Sequence, residues 1–557
     1  MRKILFFILF QVVILPTFAQ HNHSDHSKEI NHVMACRSGV NYIENLPAPE
    51  LMNGVGYSTL KIKTTSKLAQ KYFSQGVSQL HCFWDFEAYR SFKEAIKIDS
   101  TAIMPYWGIL HTILFIDNEE FDEEKKIAVE KLKVLSKNAE GHEALYSKGI
   151  LDFVEKKNPE GYLKQLENIV HQYPEDVDAK LFLALFNMSG YDEHMDPRKG
   201  TIYSEYLLRD LLISNPENHG VHHYWIHQME NCCPEEALGS AEKLADLAPE
   251  SGHIVHMPGH IYYKLGNYKK AHDQFIKAMQ VDSTYMADQN IKEIDNWNYI
   301  HNLNYLLANC AQDGRYKEGL HYAEKLEKMV AVADRVDMHR GAYFYQGIIT
   351  PAIMEMRFGF WDKAVEKFDK IVDLDSMYGR QAMDYKAAFS TFSSGMSALK
   401  TKDISKAKSK LDQLDALFWR NSQLENEKDK INQFRLKTLF VTSIELKGNI
   451  LIAEKKYDKG IEVLKKAVEM EKDLGYSEPP YYPRPTLLSL ADAYTKKGDY
   501  EKAESCYGKI LDKHPNSSMA YWGLMKIYKK MKKQDKYEGI KSKFDNVIQY
   551  GDKDIFK

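Results

Sequence analysis

The sequence predicts an all-α fold: helix-turn-helix hairpins stacked into a solenoid, wound as a superhelix with a concave groove. Three observations predict it. A period of roughly 34 residues runs onward from about residue 68. Helical apolar periodicity accompanies each period. Proline is sparse, 17 in 557 residues, while 12% of residues are aromatic, which suits helices packed on helices.

The elements follow in chain order. Residues 1–20 read as a secretory signal peptide: Arg2 and Lys3, an apolar stretch from Ile4 to Leu15, then Thr17-Phe18-Ala19 as a small-residue cleavage site. The stretch is too short and wrongly flanked for a transmembrane helix. The first cysteine is Cys36, so none stands at the cleavage point to carry a lipid. The expectation is a periplasmic or secreted protein, with no membrane insertion after signal removal. Residues 21–67 are polar and aperiodic and form a flexible segment containing His21, His23, His26 and His32. Cleavage after Gln20 would leave a free amine with His23 at the third position, a chelating N-terminus for Cu(II) or Ni(II). A first helical array spans 68–330 and a second spans 331–545, with a tail at 546–557.

Within the period, a small residue is followed twelve on by a second small residue, four later by a bulky one, and then by a turn-former. Gly76, Ala88, Phe92, Ala95 and Ser100 fit; so do Ile150, Tyr162, Leu166, Ile169 and Pro174, and Ala491, Ala503, Tyr507, Ile510 and Pro515. Small residues let two antiparallel helices approach, bulky ones fill the gap, and Pro or Ser ends the second helix. These residues resemble the tetratricopeptide (TPR) repeat. A lone hairpin cannot bury its apolar face, so stacking makes a solenoid. Two segments break the period. Residues 284–299 are an insertion, and Ser477-Glu478-Pro479-Pro480-Tyr481-Tyr482-Pro483-Arg484-Pro485 is a rigid connection that cannot be helix interior.

Bulk chemistry excludes more than it names. With 75 basic against 78 acidic residues, the net charge of −3 gives no overall attraction to nucleic acid. Six cysteines are too sparse for a disulfide scaffold, and adjacent Cys232 and Cys233 read most simply as small apolar residues at a helix end. Gly-rich phosphate loops, a nucleophile elbow and a dinucleotide fingerprint are all missing from the sequence.

The histidines stand out. His222, His223, His227, His253, His256 and His260, with Glu230, fall within 39 residues, where the chain average of 21 in 557 would place one or two. His223, His227 and Glu230 follow i, i+4, i+7 spacing, one stripe of a helix. Two imidazoles four apart can share a divalent transition metal such as Zn, Cu, Fe or Mn, with a carboxylate completing the site. Pro258 means that the second cluster's helix either starts there or bends. The competing reading is a buried polar network with the tyrosines around it.

In a TPR solenoid, as the resemblance implies, positions 2, 5, 9, 12 and 13 of each repeat line the groove. Counting from Ala271 puts His253, His256 and His260 at positions 2, 5 and 9. Counting from Ala237 puts His219 at 2, His222 at 5, His223 at 6, His227 at 10 and Glu230 at 13, and counting from Gly319 puts His301 at 2. The ordered runs His81-x-Phe-Trp, Tyr106-Trp107-Gly108, His223-Tyr224-x-Ile-His-x-x-Glu230, His253-x-x-His256-Met257-Pro258-x-His260-Ile261-Tyr262, His301-Asn302 and Pro479-Pro480-Tyr481-Tyr482-Pro483 resemble a family of large bacterial TPR proteins over residues 68 to 530. Many relatives carry His-Phe-Leu after the His-Asn pair, whereas this chain has Leu303-Asn304-Tyr305-Leu306. The family supplies no settled activity.

Three functions are therefore in view. The first is a metal-holding groove with ligands from His223, His227, Glu230, His253, His256, His260 and His301, Glu230 doubling as general base if uncoordinated. The second is an envelope adaptor that grips a protein or peptide partner, serving a polysaccharide-uptake system, with structural histidines. The third is a polysaccharide or glycopeptide binder using Tyr and Trp faces.

Overall fold

Small residues decide where two helices can touch. Gly76, Gly259 and Gly448 each stand sixteen residues before a bulky Phe92, Phe275 or Leu464, and a Cβ on any of the three glycines would run into that side chain. Glycine thus faces a bulky side chain across each of these three hairpins, as the small-to-bulky spacing predicts. The bulky residue also serves the next hairpin: Phe92 fills the space over Gly108, and Tyr507 that over Gly523.

The computed structural model describes residues 46–113, 121–192, 196–329, 338–373, 380–423, 430–475 and 482–556. Residues 1–20, read as a signal peptide, the histidines of residues 21–32, Cys36 and residues 477–481 of the proline-rich connection lie outside them. Among the described residues there are twenty-four α-helices and no strand. The first fourteen are α1 Lys67–His81, α2 Asp85–Ile98, α3 Met104–Thr112, α4 Asp122–Leu135, α5 His142–Lys156, α6 Pro159–Gln172, α7 Val177–Asn187, α8 Thr201–Ser214, α9 His219–Met229, α10 Leu238–Leu247, α11 Gly252–Lys264, α12 Tyr268–Gln289, α13 Trp297–Asp313 and α14 Tyr316–Glu327. The rest are α15 Met338–Arg357, α16 Trp361–Asp369, α17 Arg380–Lys400, α18 Ile404–Ser422, α19 Lys430–Ala453, α20 Tyr457–Lys472, α21 Thr486–Lys497, α22 Tyr500–Lys513, α23 Ser518–Met531 and α24 Gln534–Val547.

Each helix packs on the next, and from α11 to α21 the odd-numbered helices also touch one another in sequence, the signature of stacked hairpins. Apolar side chains of the described residues form three large cores, Leu60 to Phe358, Ile349 to Tyr482 and Ile452 to Phe556, beside a small cluster of Ala245, Val255 and Ala278, and α15 and α19 each contribute to two of the large ones. Asparagine caps open the helices that matter most here: Asn218 accepts from the amide of Val221, Asn267 from Lys270 and Asn296 from Tyr299.

Two features tie distant parts together. The 284–299 insertion lengthens α12, which brings Tyr285 and Gln289 to α2, where the Tyr285 hydroxyl donates to Glu87 (2.6 Å) and Arg90 donates to Gln289 (3.0 Å). The C-terminal hairpins return to the middle of the chain. Tyr268 Oη donates to the Pro515 carbonyl (2.6 Å), Asn516 Nδ2 to that of Gly266 (3.1 Å), and the amide of Asp552 to that of Gly314 (2.8 Å).

Residues 46–66 form an extended strap held chiefly by α1. Gln75 holds it at both edges, donating to the Glu50 carbonyl (2.9 Å) and accepting from the Met52 amide (2.7 Å). Gln70 does the same at Leu60 and Ile62. Ser78 donates to the Val55 carbonyl (2.7 Å), and the Glu250 amide donates to that of Gly54 (2.7 Å).

Candidate metal centre

Every residue of α9 is buried, and so is α11 from Gly252 to Tyr263. A helix enclosed on all sides must satisfy its polar side chains inside the protein. Helix α11 begins at Gly252 and runs through Pro258, whose missing amide leaves the Ile254 carbonyl without its helical donor while the helix continues. His256 and His260 therefore keep their i, i+4 relation. Gly259 lets α12 press against this helix, since a Cβ there would collide with Phe275.

Ring nitrogens of His223, His227 and His253 lie within 4.8 Å of one another. The Nδ1 atom of each ring is committed: His223 to the His81 carbonyl (2.6 Å), His227 to Glu230 Oε1 (3.1 Å) and His253 to Asn298 Oδ1 (3.0 Å). All three partners are acceptors, because Asn298 spends its Nδ2 on Asp282 (2.7 Å). Each Nδ1 therefore donates, which makes Nε2 the lone-pair nitrogen of the neutral ring. Those three Nε2 atoms are buried without a hydrogen-bond partner. Burial, reinforced by the neighbouring imidazoles, holds His223 and His253 well below the usual histidine range, so both rings are neutral.

Beside it lies a second group, His256, His260 and His301, again with ring nitrogens within 4.8 Å. His256 donates from Nδ1 to Asn302 Oδ1 (2.7 Å), while Asn302 Nδ2 is spent on the Phe275 carbonyl (2.8 Å). His260 donates from Nδ1 to Glu230 Oε2 (2.7 Å). The two Nε2 atoms meet at 2.7 Å. His301 stacks on Trp297, ring centroids 4.9 Å apart and 11° from parallel. His256 is also held well below the ordinary range by burial and by His260 and His301.

The other sequence candidates separate. Glu230 stands on the Nδ1 side of His227 and His260, behind the converging nitrogens, so its placement is that of an orienting acceptor shared by both groups. His222 points away, between Ser240 Oγ (2.8 Å) and the Pro216 carbonyl (2.8 Å). His219 bonds to Ser78, lies against Gly56 of the strap and is pushed down to about 4 by burial. His81 sends its side chain to Tyr224 (3.0 Å) and Asp178 (3.0 Å), and only its carbonyl reaches the centre. Cys232 and Cys233 are unbridged.

Sequence reasoning missed two contributors; a third, Phe83 of the His81-Cys82-Phe83-Trp84-Asp85 stretch, was a candidate to reach the site that read more simply as packing. Phe83 roofs the first group: its ring stacks on His227 (5.3 Å) and His253 (5.7 Å) and touches His223 (4.5 Å) from a backbone at φ 56°. A left-handed aromatic residue is strained, and such strain gathers at functional sites. Asn298 and Asp282 form the support of His253, and burial pushes the Asp282 carboxyl up to about 7. The Asn296-x-Asn298 pattern beside His301 was the available signal for the asparagine. The strap was the second missed contributor, and a polar aperiodic stretch offers no signal for it.

Residues 451–527 match the tetratricopeptide repeat family. The fold is a TPR solenoid. The solved structures similar to this chain include human IFIT1 dimer with m7Gppp-AAAA, at 16% identity over 81% of this chain and 91% of that one, with a TM-score of 0.33. Yeast Tom70 is similar at 13% identity over 87% and 86%, TM-score 0.28. So is the APC/C hetero-tetramer Cut9-Hcn1, at 12% over 76% and 96%, TM-score 0.23. None of these likenesses bears on ligand or activity. Comparison with curated proteins finds no match. No described helix is long and apolar enough to cross a membrane. A cleft of about 570 Å³ opens elsewhere, between strap residues Glu50 to Asn53, Glu250 and the Lys277 to Gln289 face of α12.

Proposed function

We propose that this chain is an exported TPR scaffold that holds a divalent transition metal, of the set Zn, Cu, Fe and Mn, on histidines of its interior. The observation that carries the reading is the trio His223, His227 and His253, with every Nδ1 spent on an acceptor and every Nε2 buried and bare. An unsatisfied buried polar atom costs about 1–3 kcal/mol, and a cation shared by three lone pairs would remove that cost for all of them. Acceptors behind the rings are the usual companions of metal-bound histidine, because they fix the tautomer and raise ligand basicity. His256, His260 and His301 supply further imidazole nitrogens. Glu230 orients His227 and His260. Export rests on the first twenty residues.

Metal analysis of gently purified mature protein, followed by thermal unfolding with each ion, tests this reading. A ligand bound only by the folded state adds about 2.7 kcal/mol at a hundredfold excess over Kd. The melting temperature is therefore expected to rise with one of these ions and to rise less in His223→Ala/His253→Ala. Metal-free protein whose melting temperature ignores Zn²⁺, Cu²⁺, Fe²⁺ and Mn²⁺ overturns it.

A second reading, a protein-interaction adaptor of the cell envelope serving polysaccharide uptake, has its own support. Gln70, Gln75 and Ser78 already grip an extended backbone, that of the strap, in the way groove side chains of a TPR array grip a peptide. Capture of one partner protein, unchanged by chelator, favours the adaptor; capture abolished by chelator returns the weight to the metal.

A further inference from the structure

We infer that the histidines form two metal sites rather than one, a pair of ions coupled through Glu230. His223, His227 and His253 hold the first; His256, His260 and His301 hold the second. This rests on the metal-binding reading above and deepens it.

Geometry separates the sites. The ring nitrogens fall into two sets of three, each within 4.8 Å. In the second set, His256 Nε2 and His260 Nε2 face each other at 2.7 Å while both Nδ1 protons are given to Asn302 and Glu230. Two lone pairs that close repel unless something positive lies between them, either a shared proton or a metal ion. A shared proton needs only two bases. The third nitrogen, from His301 held flat on Trp297, makes the pocket three-sided, which suits an ion.

Coupling follows from one carboxylate serving two ligand rings. Glu230 Oε1 accepts from His227 of the first site, and Oε2 accepts from His260 of the second. An ion on His227 makes that ring's N–H a stronger donor and draws charge from the carboxylate, leaving less to support His260. Repulsion between the cations acts in the same direction. The two ions therefore bind in sequence, the second more weakly than the first.

The test uses the full mature chain, stripped with chelator and titrated with Zn²⁺ for stoichiometry and with Co²⁺ for visible spectra. Two ions per chain are expected, in two steps. His223→Ala/His253→Ala and His256→Ala/His301→Ala should each retain one. Glu230→Gln should lower affinity at both sites by about 10–100-fold and shift both cobalt spectra. Glu230→Asp should recover part of each, which a merely destabilised fold would not show. One ion per wild-type chain, with protons alone in the second pocket, overturns the pair and leaves the metal-binding reading standing. No ion at all removes both. Should a double variant fail to fold by circular dichroism, the wild-type stoichiometry and the response of Glu230→Gln decide, and weakening of one site alone overturns the coupling.

Discussion

Asn298 keeps His253 in register with one hydrogen bond, and its own amide is anchored on the buried Asp282. Asn298→Ala frees the imidazole to rotate, so metal affinity at the first site is expected to fall by about 10–100-fold, measured by competition with a coloured chelator, with little change in helix content. An unchanged affinity would mean that the ring is set by packing alone. Phe83→Ala removes the roof over the same site. A loss of about 3–5 kcal/mol is expected in urea unfolding of the apo-protein, together with faster metal exchange. The spacing of His223, His227 and Glu230 was legible in the sequence because i, i+4, i+7 positions share a helix face. Glu230's place behind the rings was not, because a stripe tells which residues are neighbours and not which atom of a ring faces which side. Asn298 escaped notice, and Phe83 read as plain packing, for a different reason: their partners lie far away in the chain, and only tertiary packing brings them together.

Helices α11 and α12 approach until only glycine fits at residue 259 against the Phe275 ring. Gly259→Ala is expected to cost about 1–3 kcal/mol by overpacking and to loosen His260 with it, visible as a lower urea midpoint and weaker binding at the second site. Full stability in that variant would show that the two helices can slide apart freely. At this scale most of the architecture could be read in advance. Gly76 with Phe92, Gly259 with Phe275 and Gly448 with Leu464 realise the small-to-bulky spacing directly. Pro258 was ambiguous, since a proline in sequence permits a helix start or an interior kink, and here burial on every side carries the helix through it. The insertion at 284–299 was visible as a break in period, while its bridge from Tyr285 to Glu87 spans 198 residues and left no periodic trace.

The whole molecule depends on the return of the C-terminal hairpins to residues 263–317, and buried His514 sits at that contact beside Tyr263. Burial first, then Lys513 and Lys264, lowers His514 to about 3. Above pH 6.5 the ring is neutral both folded and unfolded; as pH falls from 6.5 towards 3, only the unfolded chain takes up the proton, so stability is lost. Relative to His514→Gln, the wild type is expected to lose about 3 kcal/mol between pH 7.5 and 4.5 in metal-free urea unfolding. The comparison with the variant is needed because Asp176, Asp282 and Asp313, pushed up to about 7 by burial, titrate in the opposite sense over the same range. A constant difference between the two proteins would place His514 in water. The centre itself is tested most directly by metal-edge X-ray absorption on the purified full chain. Imidazole nitrogens at about 2.0–2.1 Å, three to an ion, are the expected first shell if the ion is zinc. Protein that carries no ion after loading, or an ion surrounded by sulfur or by carboxylate oxygen, would contradict a site built on the bare Nε2 atoms of His223, His227 and His253.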